Sequence, residues 1–237
     1  MDPGRRAGLL RVLERARAIG LLGPGPVEPH VEHALAFGLP VPDLLGGGER
    51  ALGGAPAVDL GTGAGLPGLV LASAFAKSSW LLVDGRERST RFVAWAVTEL
   101  GLGERVAVRT ARAEDLGREV MHRGRHHLVV ARGFGAPAVV AECAAPLLAV
   151  GGRLVVSEPP EPSDARWRSE PLAGLGLALD GRMASAHASV AAFTQVRPCA
   201  VAYPRRTGVP AKRPLWGASP DPDVSRETPR RGSPTGT

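Results

Sequence analysis

Residues 58–68 read Val-Asp-Leu-Gly-Thr-Gly-Ala-Gly-Leu-Pro-Gly, an acid at Asp59 followed by glycines at alternate positions. Glycine accepts positive φ and lets a ligand approach the backbone closely, and a helix starting after such a turn presents N–H groups without an intrahelical partner. The turn is therefore a candidate seat for a nucleotide-like cofactor. A second acid, Asp84, closes the apolar run 79–84 (Ser-Trp-Leu-Leu-Val-Asp). It lies about 20 residues past the glycine turn, where a carboxylate can bond ribose hydroxyls. Asp59, at a strand end, would suit an ammonium group. Asp84 also reads as a solvated strand-end acid. Other reactive side chains form no comparable pattern. Cys143 and Cys199 are too few and too far apart for a disulfide framework or a zinc site, and Cys143 reads as packing. His30 and His33 have no evident third ligand, which favours a surface or packing role, and no metal is expected.

The elements that must position these residues alternate. Strand signals at 56–60, 79–84, 105–110, 128–131 and 153–157 are interleaved with helical runs at 68–77, 88–100 and 137–148. That order predicts an α/β fold, a doubly wound parallel sheet covered on both faces. Runs at 175–179 and 188–196, separated by Asp180-Gly181 and a polar stretch, predict a terminal antiparallel pair. Ahead of the first strand, 8–22 reads as an amphipathic helix, 31–37 as a short second helix and 38–54 as a Gly/Pro-rich linker. Beyond about 204 no periodicity survives, and 215–237 is expected to be disordered. The expected layout is an N-terminal helical segment and linker (1–54), a cofactor domain (55–203) and a basic Pro-rich tail (204–237).

The formal net charge is +6, and of 29 basic residues only Lys77 and Lys212 are lysines. An arginine bias spread over the chain makes the high pI weak evidence for nucleic acid. From Arg197 onward, however, eight basic residues meet three acids, so +5 of the charge lies in the last fifth, which suits a polyanionic partner. No run of about 18 apolar residues is present, so no membrane span is expected. The charged start at Arg5, Arg6 and Arg11 does not read as a signal core, and a cytoplasmic protein is expected.

Two cofactors compete for the turn. Gly63-x-Gly65-x-x-Gly68 matches the dinucleotide fingerprint, a weak signal alone. Asp59-x-Gly61-x-Gly63-x-Gly65 is the pattern of S-adenosylmethionine (SAM)-dependent methyltransferases, and it uses the acid and the extra glycine. A parallel sheet closed by an antiparallel pair is the layout of class I, Rossmann-like methyltransferases. A nicotinamide enzyme would need a further substrate domain, for which too little chain remains.

Over roughly residues 30–215 the chain resembles the small-subunit (16S) ribosomal RNA guanine-N7 methyltransferases, the glucose-inhibited division protein B family. The resemblance rests on Leu66-Pro67-Gly68, Ala111-Arg112-Ala113-Glu114, Ala131-Arg132-Gly133-Phe134, Pro146-Leu147-Leu148 with Gly151-Gly152-Arg153, and the tail 203–215 (Tyr-Pro-Arg-Arg-Thr-Gly-Val-Pro-Ala-Lys-Arg-Pro-Leu). It implies SAM as cofactor, with Gly61, Leu66, Ala113, Glu114 and Arg132 at the family's contact positions, beside Asp59, Gly63, Gly65 and Asp84. Glu114 would sit beside the adenine. Arg132 is the candidate catalytic residue, and would bond guanine O6, cap the cofactor or bind phosphate; the bland alternative is a salt bridge over the sheet edge. Arg205, Arg206, Lys212 and Arg213 are expected on RNA phosphates, in a segment held extended by Pro204 and Pro210. The implied partner is 16S ribosomal RNA or the small ribosomal subunit, met as a monomer. The chain departs from the family in lacking its N-terminal tryptophan-asparagine and asparagine-leucine-threonine motifs. It also carries Val156-Ser157-Glu158-Pro159 where the fifth strand usually ends in Leu-Lys-Gly. Those departures keep a SAM enzyme with a small-molecule acceptor as the second reading; a nicotinamide oxidoreductase or a non-catalytic RNA-binding module is third.

Overall fold

In the computed structural model, residues 1–47 and 54–217 are described. Positions 48–53 of the expected linker and 218–237 of the expected tail lie outside them. The centre is a seven-stranded sheet built from β1 (Ala57–Leu60), β2 (Trp80–Asp84), β3 (Val106–Thr110), β4 (His126–Ala131), β5 (Leu148–Glu158), β6 (Leu177–Ala184) and β7 (Ser189–Gln195), ordered β3-β2-β1-β4-β5-β7-β6. The first five strands run parallel, while β7 pairs antiparallel to both β5 and β6. The chain order reverses between β1 and β4, and ligands bind at the carboxyl ends of strands beside such a reversal.

Strand side chains alternate between two cores, as a period of two requires. Ala57, Leu82, Leu128, Val130 and Val155 pack under α1 (Pro3–Ala18), α2 (Glu28–Ala36), α4 (Gly68–Ala74) and α5 (Glu87–Glu99). Val58, Leu60, Val83, Val129 and Leu154 face α7 (Pro137–Ala144) and α8 (Ser169–Leu175). Short helices α3 (Pro42–Gly46) and α6 (Ala113–Leu116) fall in the linker and after β3. No helix among the described residues is long and apolar enough to cross a membrane.

Several boundaries differ from the sequence expectation. Helix α1 starts at Pro3, because Asp2 caps it by accepting the Arg5 N–H at 3.0 Å; apolar periodicity becomes visible only from Leu9. Gly151 and Gly152 lie inside β5 and not ahead of it, beside a register shift against β4 between His126 and Leu128. Asp180-Gly181 is a bulge within β6 and not the reversal, which comes at Ser185, whose N–H bonds Ala188 O at 2.7 Å.

The largest difference is at the C-terminus. Segment 204–217 packs onto the domain as a strap. Instead of staying extended it folds into α9 (Val209–Lys212), with Pro204 and Pro210 buried. Trp216 is buried too, its Nε1 donating to Arg166 O at 3.0 Å. Order therefore continues past 215, because Leu215 and Trp216 supply the apolar area that the Pro/Gly-rich stretch lacks.

Candidate active site

The glycine turn is held from within by Asp59. Its Oδ2 accepts the Thr62 hydroxyl at 2.7 Å and the Gly68 N–H at 2.9 Å, tying the end of β1 to the first residue of α4. Asp59 is fully buried, and its Oδ1 has no partner among the described residues. Burial pushes its carboxyl up to about 7, against the opposing Thr62 and Gly68 hydrogen bonds. The strand-end reading placed this acid at a ligand's ammonium; the structure places it inside the loop. Leu66 likewise turns into the core.

Gly61 and Gly65 show why the spacing demands glycine. Both have positive φ, 69° and 92°. A Cβ at Gly61 would stand 2.5 Å from Phe134 Cδ2, and one at Gly65 would lie 2.2 Å from Leu69 Cδ1. Gly63 offers its backbone instead, donating its N–H to Asp84 Oδ2 at 2.9 Å. The Asp84 Oδ1 accepts the Arg86 N–H at 2.9 Å and Arg86 Nε at 3.2 Å. Asp84 is thereby fixed in orientation at the end of β2.

A cavity at this carboxyl edge joins residues from several segments of the chain. It is lined by Gly61, Asp84, Ala113 and Glu114, with Phe134 and Ala211 as apolar walls. Four sequence-selected residues thus meet in one place, while Asp59, Gly63, Gly65, Leu66 and Arg132 lie outside its lining. Neither Phe134 nor Ala211 carries a sequence signal of its own: one sits inside a motif and the other inside the basic tail.

The strap closes this cavity. Gly208 donates its N–H to Glu114 Oε1 at 2.9 Å, and Thr207 Oγ1 donates to Asp115 Oδ1 at 2.6 Å. Arg123 anchors its approach, donating to the carbonyls of Cys199, Ala200 and Tyr203 at 3.0, 2.8 and 2.7 Å. Arg205 is committed to the buried Glu142. Its backbone N–H and Nε donate to Oε1 at 2.9 and 2.8 Å, and Nη2 donates to Oε2 at 2.6 Å. This pair differs from the phosphate contact expected of Arg205, because a fully buried carboxylate demands a cation. Arg206, Lys212 and Arg213 are exposed.

Arg132 directly follows β4 and reaches His30 on α2. Its Nη2 donates to His30 Nδ1 at 2.7 Å, and its Nη1 is buried without a partner among the described residues. Burial lowers its pKa from the ordinary arginine value while Asp59 opposes the shift. Desolvation and the neighbouring Arg132 charge lower His30 and bring His33 down to about 4, so both imidazoles are neutral at pH 7. The salt bridge considered for Arg132 is therefore a hydrogen bond to a neutral histidine. Sequence spacing could not reveal this partner, which lies 102 residues away. No group of three or more His, Cys, Asp or Glu is placed to hold a metal among the described residues.

Glu158, which replaces the family's lysine region, faces inward. Its Oε1 accepts Trp167 Nε1 at 2.7 Å, and its Oε2 lies 3.3 Å from Arg166 Nε. Its charge is thus buried and paired, not offered to an incoming anion.

The chain is also similar to known proteins. The family model described as rRNA small subunit methyltransferase G matches residues 17–161. Ribosomal RNA small subunit methyltransferase G of Parasynechococcus marenigrum is 36% identical over 174 residues, covering 68% of this chain and 68% of the relative. The protein of that name from Rubrobacter xylanophilus is 33% identical over 221 residues, covering 88% and 81%. Among solved structures, an RNA methyltransferase from Salinibacter ruber in complex with S-adenosyl-L-homocysteine superposes with TM-score 0.51 at 14% identity, over 75% of this chain and 97% of that one, which shows a shared fold. The chain belongs to the rRNA small subunit methyltransferase G family and has its class I, SAM-dependent methyltransferase fold.

Proposed function

We propose that the chain transfers the methyl group of SAM to N7 of a guanine in 16S ribosomal RNA, working in the cytoplasm as a monomer. Its family fixes the reaction class, a SAM-dependent methyltransferase of small-subunit ribosomal RNA. The observation that carries the residue assignment is the cavity where Gly61, Asp84, Ala113 and Glu114 meet, one strand from Arg132. The unit formed by 55–203 is its cofactor domain, and 204–217 is its cover.

These residues fit the cofactor chemically. Asp84 is held by the Gly63 and Arg86 backbone N–H groups, and two ribose hydroxyls would take the acceptor sites now used by the 70% exposed Arg86 guanidinium. Ala113 and Glu114 form the adenine side, and the Gly208 N–H fixes the Glu114 carboxylate. Gly61, Gly63 and Gly65, all at positive φ, form the tight turn, and a Cβ at Gly61 would press on Phe134 at the cavity wall. Asp59 and Leu66 act by shaping that loop from inside. When bound, SAM supplies an electrophilic methyl on a sulfonium.

Guanine N7 is a lone pair that loses no proton on methylation, so no general base is required. The protein's task is alignment and exclusion of water. Arg132 suits it: N7 and O6 are the two acceptors on that edge of guanine, and the unpartnered Nη1 is a buried donor at the adjoining strand end. The neutral His30 holds the guanidinium from behind without adding charge. Exposed Arg206, Lys212 and Arg213 remain for phosphates, with Arg205 acting as their anchor.

The test is methyl transfer in vitro to small subunits and to naked 16S RNA, with nucleoside mass spectrometry as readout. The expected product is N7-methylguanosine. Methyl on an exocyclic amine, or on metabolites with none on RNA, would overturn the proposal.

A further inference from the structure

Outside the cavity, one surface combines aromatic and cationic groups. An open groove of about 530 Å³ runs between α1 and α5, lined by Arg15, Ile19, Arg88, Arg91, Phe92 and Trp95. Its three charged residues are all cations. Trp80, Trp167 and Trp216 are buried, at 1, 6 and 5% exposure, whereas Trp95 is 41% exposed. An indole on the surface of a charged helix serves no core. Phe92 beneath it holds the ring, with centroids 5.4 Å apart and a 45° tilt, so Trp95 presents a fixed face.

The arginines are arranged around that face. Arg88 and Arg91 precede Trp95 on α5, and Arg15 faces them from α1. Arg88 uses one Nη2 hydrogen on Ile19 O at the end of α1 and retains further donors. Arg91 stands 3.8 Å from Glu87 with both side chains more than 70% exposed, an ion pair that water leaves weak. Helix α5 begins three residues after Asp84, so Arg88 lies in the turn nearest the carboxyl edge of the sheet and Trp95 about two turns further along the helix.

We infer that this groove is a docking platform for a single-stranded stretch of the RNA substrate, one base stacking on Trp95 while Arg15, Arg88 and Arg91 neutralise the flanking phosphates. It rests on the reading of the chain as an RNA methyltransferase and adds a contact surface distinct from the C-terminal strap. Charge complementarity and a fixed π face select a polyanion carrying flat rings. Three cations with no acid among the groove's lining residues match a phosphodiester backbone. Stacking tolerates any base, so the groove supplies affinity and direction, and the choice of guanine stays with the active site.

The test uses the full chain and a labelled single-stranded RNA oligonucleotide of mixed sequence, with affinity measured against salt. Trp95→Ala should weaken binding about tenfold, within the range for loss of one stacked base, and Trp95→Phe should retain most of it. Arg15→Gln, Arg88→Gln and Arg91→Gln together should flatten the salt slope by about 2, from roughly 0.7 per phosphate. The Arg15→Gln/Arg91→Gln pair, which spares the contact to Ile19, should flatten it by about 1.4. RNA should quench tryptophan fluorescence in the wild type and much less in Trp95→Phe. Affinity for S-adenosylhomocysteine should stay at the wild-type value in every variant. Wild-type affinity and slope throughout, or undiminished quenching in Trp95→Phe, would overturn the inference. So would unchanged RNA binding with weaker docking to intact subunits, which would assign the groove to a ribosomal protein. Failure of the enzymatic reading is distinguishable, since it appears as absent methyl transfer to RNA by the wild type itself.

Discussion

Replacing Arg205 by glutamine should loosen the strap over the cofactor cavity. Arg205 makes three hydrogen bonds to Glu142, whose side chain is fully buried while that of Arg205 is 28% exposed. The backbone bond survives the substitution, but the carboxylate loses its cation. Breaking a buried pair from one side costs about 3–5 kcal/mol; partial exposure of Arg205 reduces this to about 2–3 kcal/mol by admitting water. At about 2–4 °C per kcal/mol for a chain of this size, the thermal midpoint should fall by about 5–10 °C. The Gly208–Glu114 bond and the Ala211 wall belong to the same strap, so S-adenosylhomocysteine affinity should fall with it. Glu142→Gln removes the stranded charge, and adding it to Arg205→Gln should recover part of the lost stability. Thermal unfolding and calorimetry on the two single variants and the double variant form a cycle that isolates the coupling. If Arg205→Gln melts like the wild type, binds cofactor normally and only lowers the salt dependence of RNA binding, Arg205 is a phosphate contact and the anchor reasoning fails.

Three further outcomes follow from the same geometry. Asp84→Ala removes a charge-assisted acceptor for two hydroxyls, a loss of about 1.5–3 kcal/mol, so S-adenosylhomocysteine should bind at least tenfold more weakly in a folded protein; calorimetry with unchanged affinity would reduce Asp84 to a loop brace. Gly61→Ala places a Cβ 2.5 Å from Phe134 at φ 69°, and should weaken cofactor binding more than Gly103→Ala, where a Cβ has nothing within 4 Å. Asp59 titrates near 7 in the fold against 3.8 unfolded, so the folded chain keeps a proton that the unfolded chain releases. Its stabilising contribution is full below pH 3.8 and is lost as pH rises through 7. Asp59→Asn should therefore melt above the wild type at pH 8, with the advantage shrinking toward pH 4; a pH-independent difference would contradict the buried carboxyl's shift.

Much of the fold is legible in the sequence because its signals are local. Short continuous apolar runs at β1 and β2 mark buried parallel strands, and the glycine turn marks the ligand edge. What escaped depends on partners distant in sequence. His30 reads as a surface or packing residue until the fold sets it against Arg132. Arg205 reads as one of four phosphate contacts until Glu142, 63 residues earlier and inside an apolar helix, claims it. Glu158 looks like an obstacle to RNA until Trp167 and Arg166 turn it inward. The Pro/Gly-rich composition of 204–217 hides a packed strap, because its order comes from docking and not from helical propensity.

The most direct measurement is a map of N7-methylguanine in 16S ribosomal RNA from cells carrying the gene, cells lacking it, and cells complemented with Asp84→Ala or Arg132→Ala. The predicted result is one modified guanine that disappears on deletion, returns with the wild-type gene, and stays absent or strongly reduced with either variant. An unchanged map on deletion, or full restoration by both variants, would contradict the assignment of this cavity and of Arg132 to ribosomal RNA methylation.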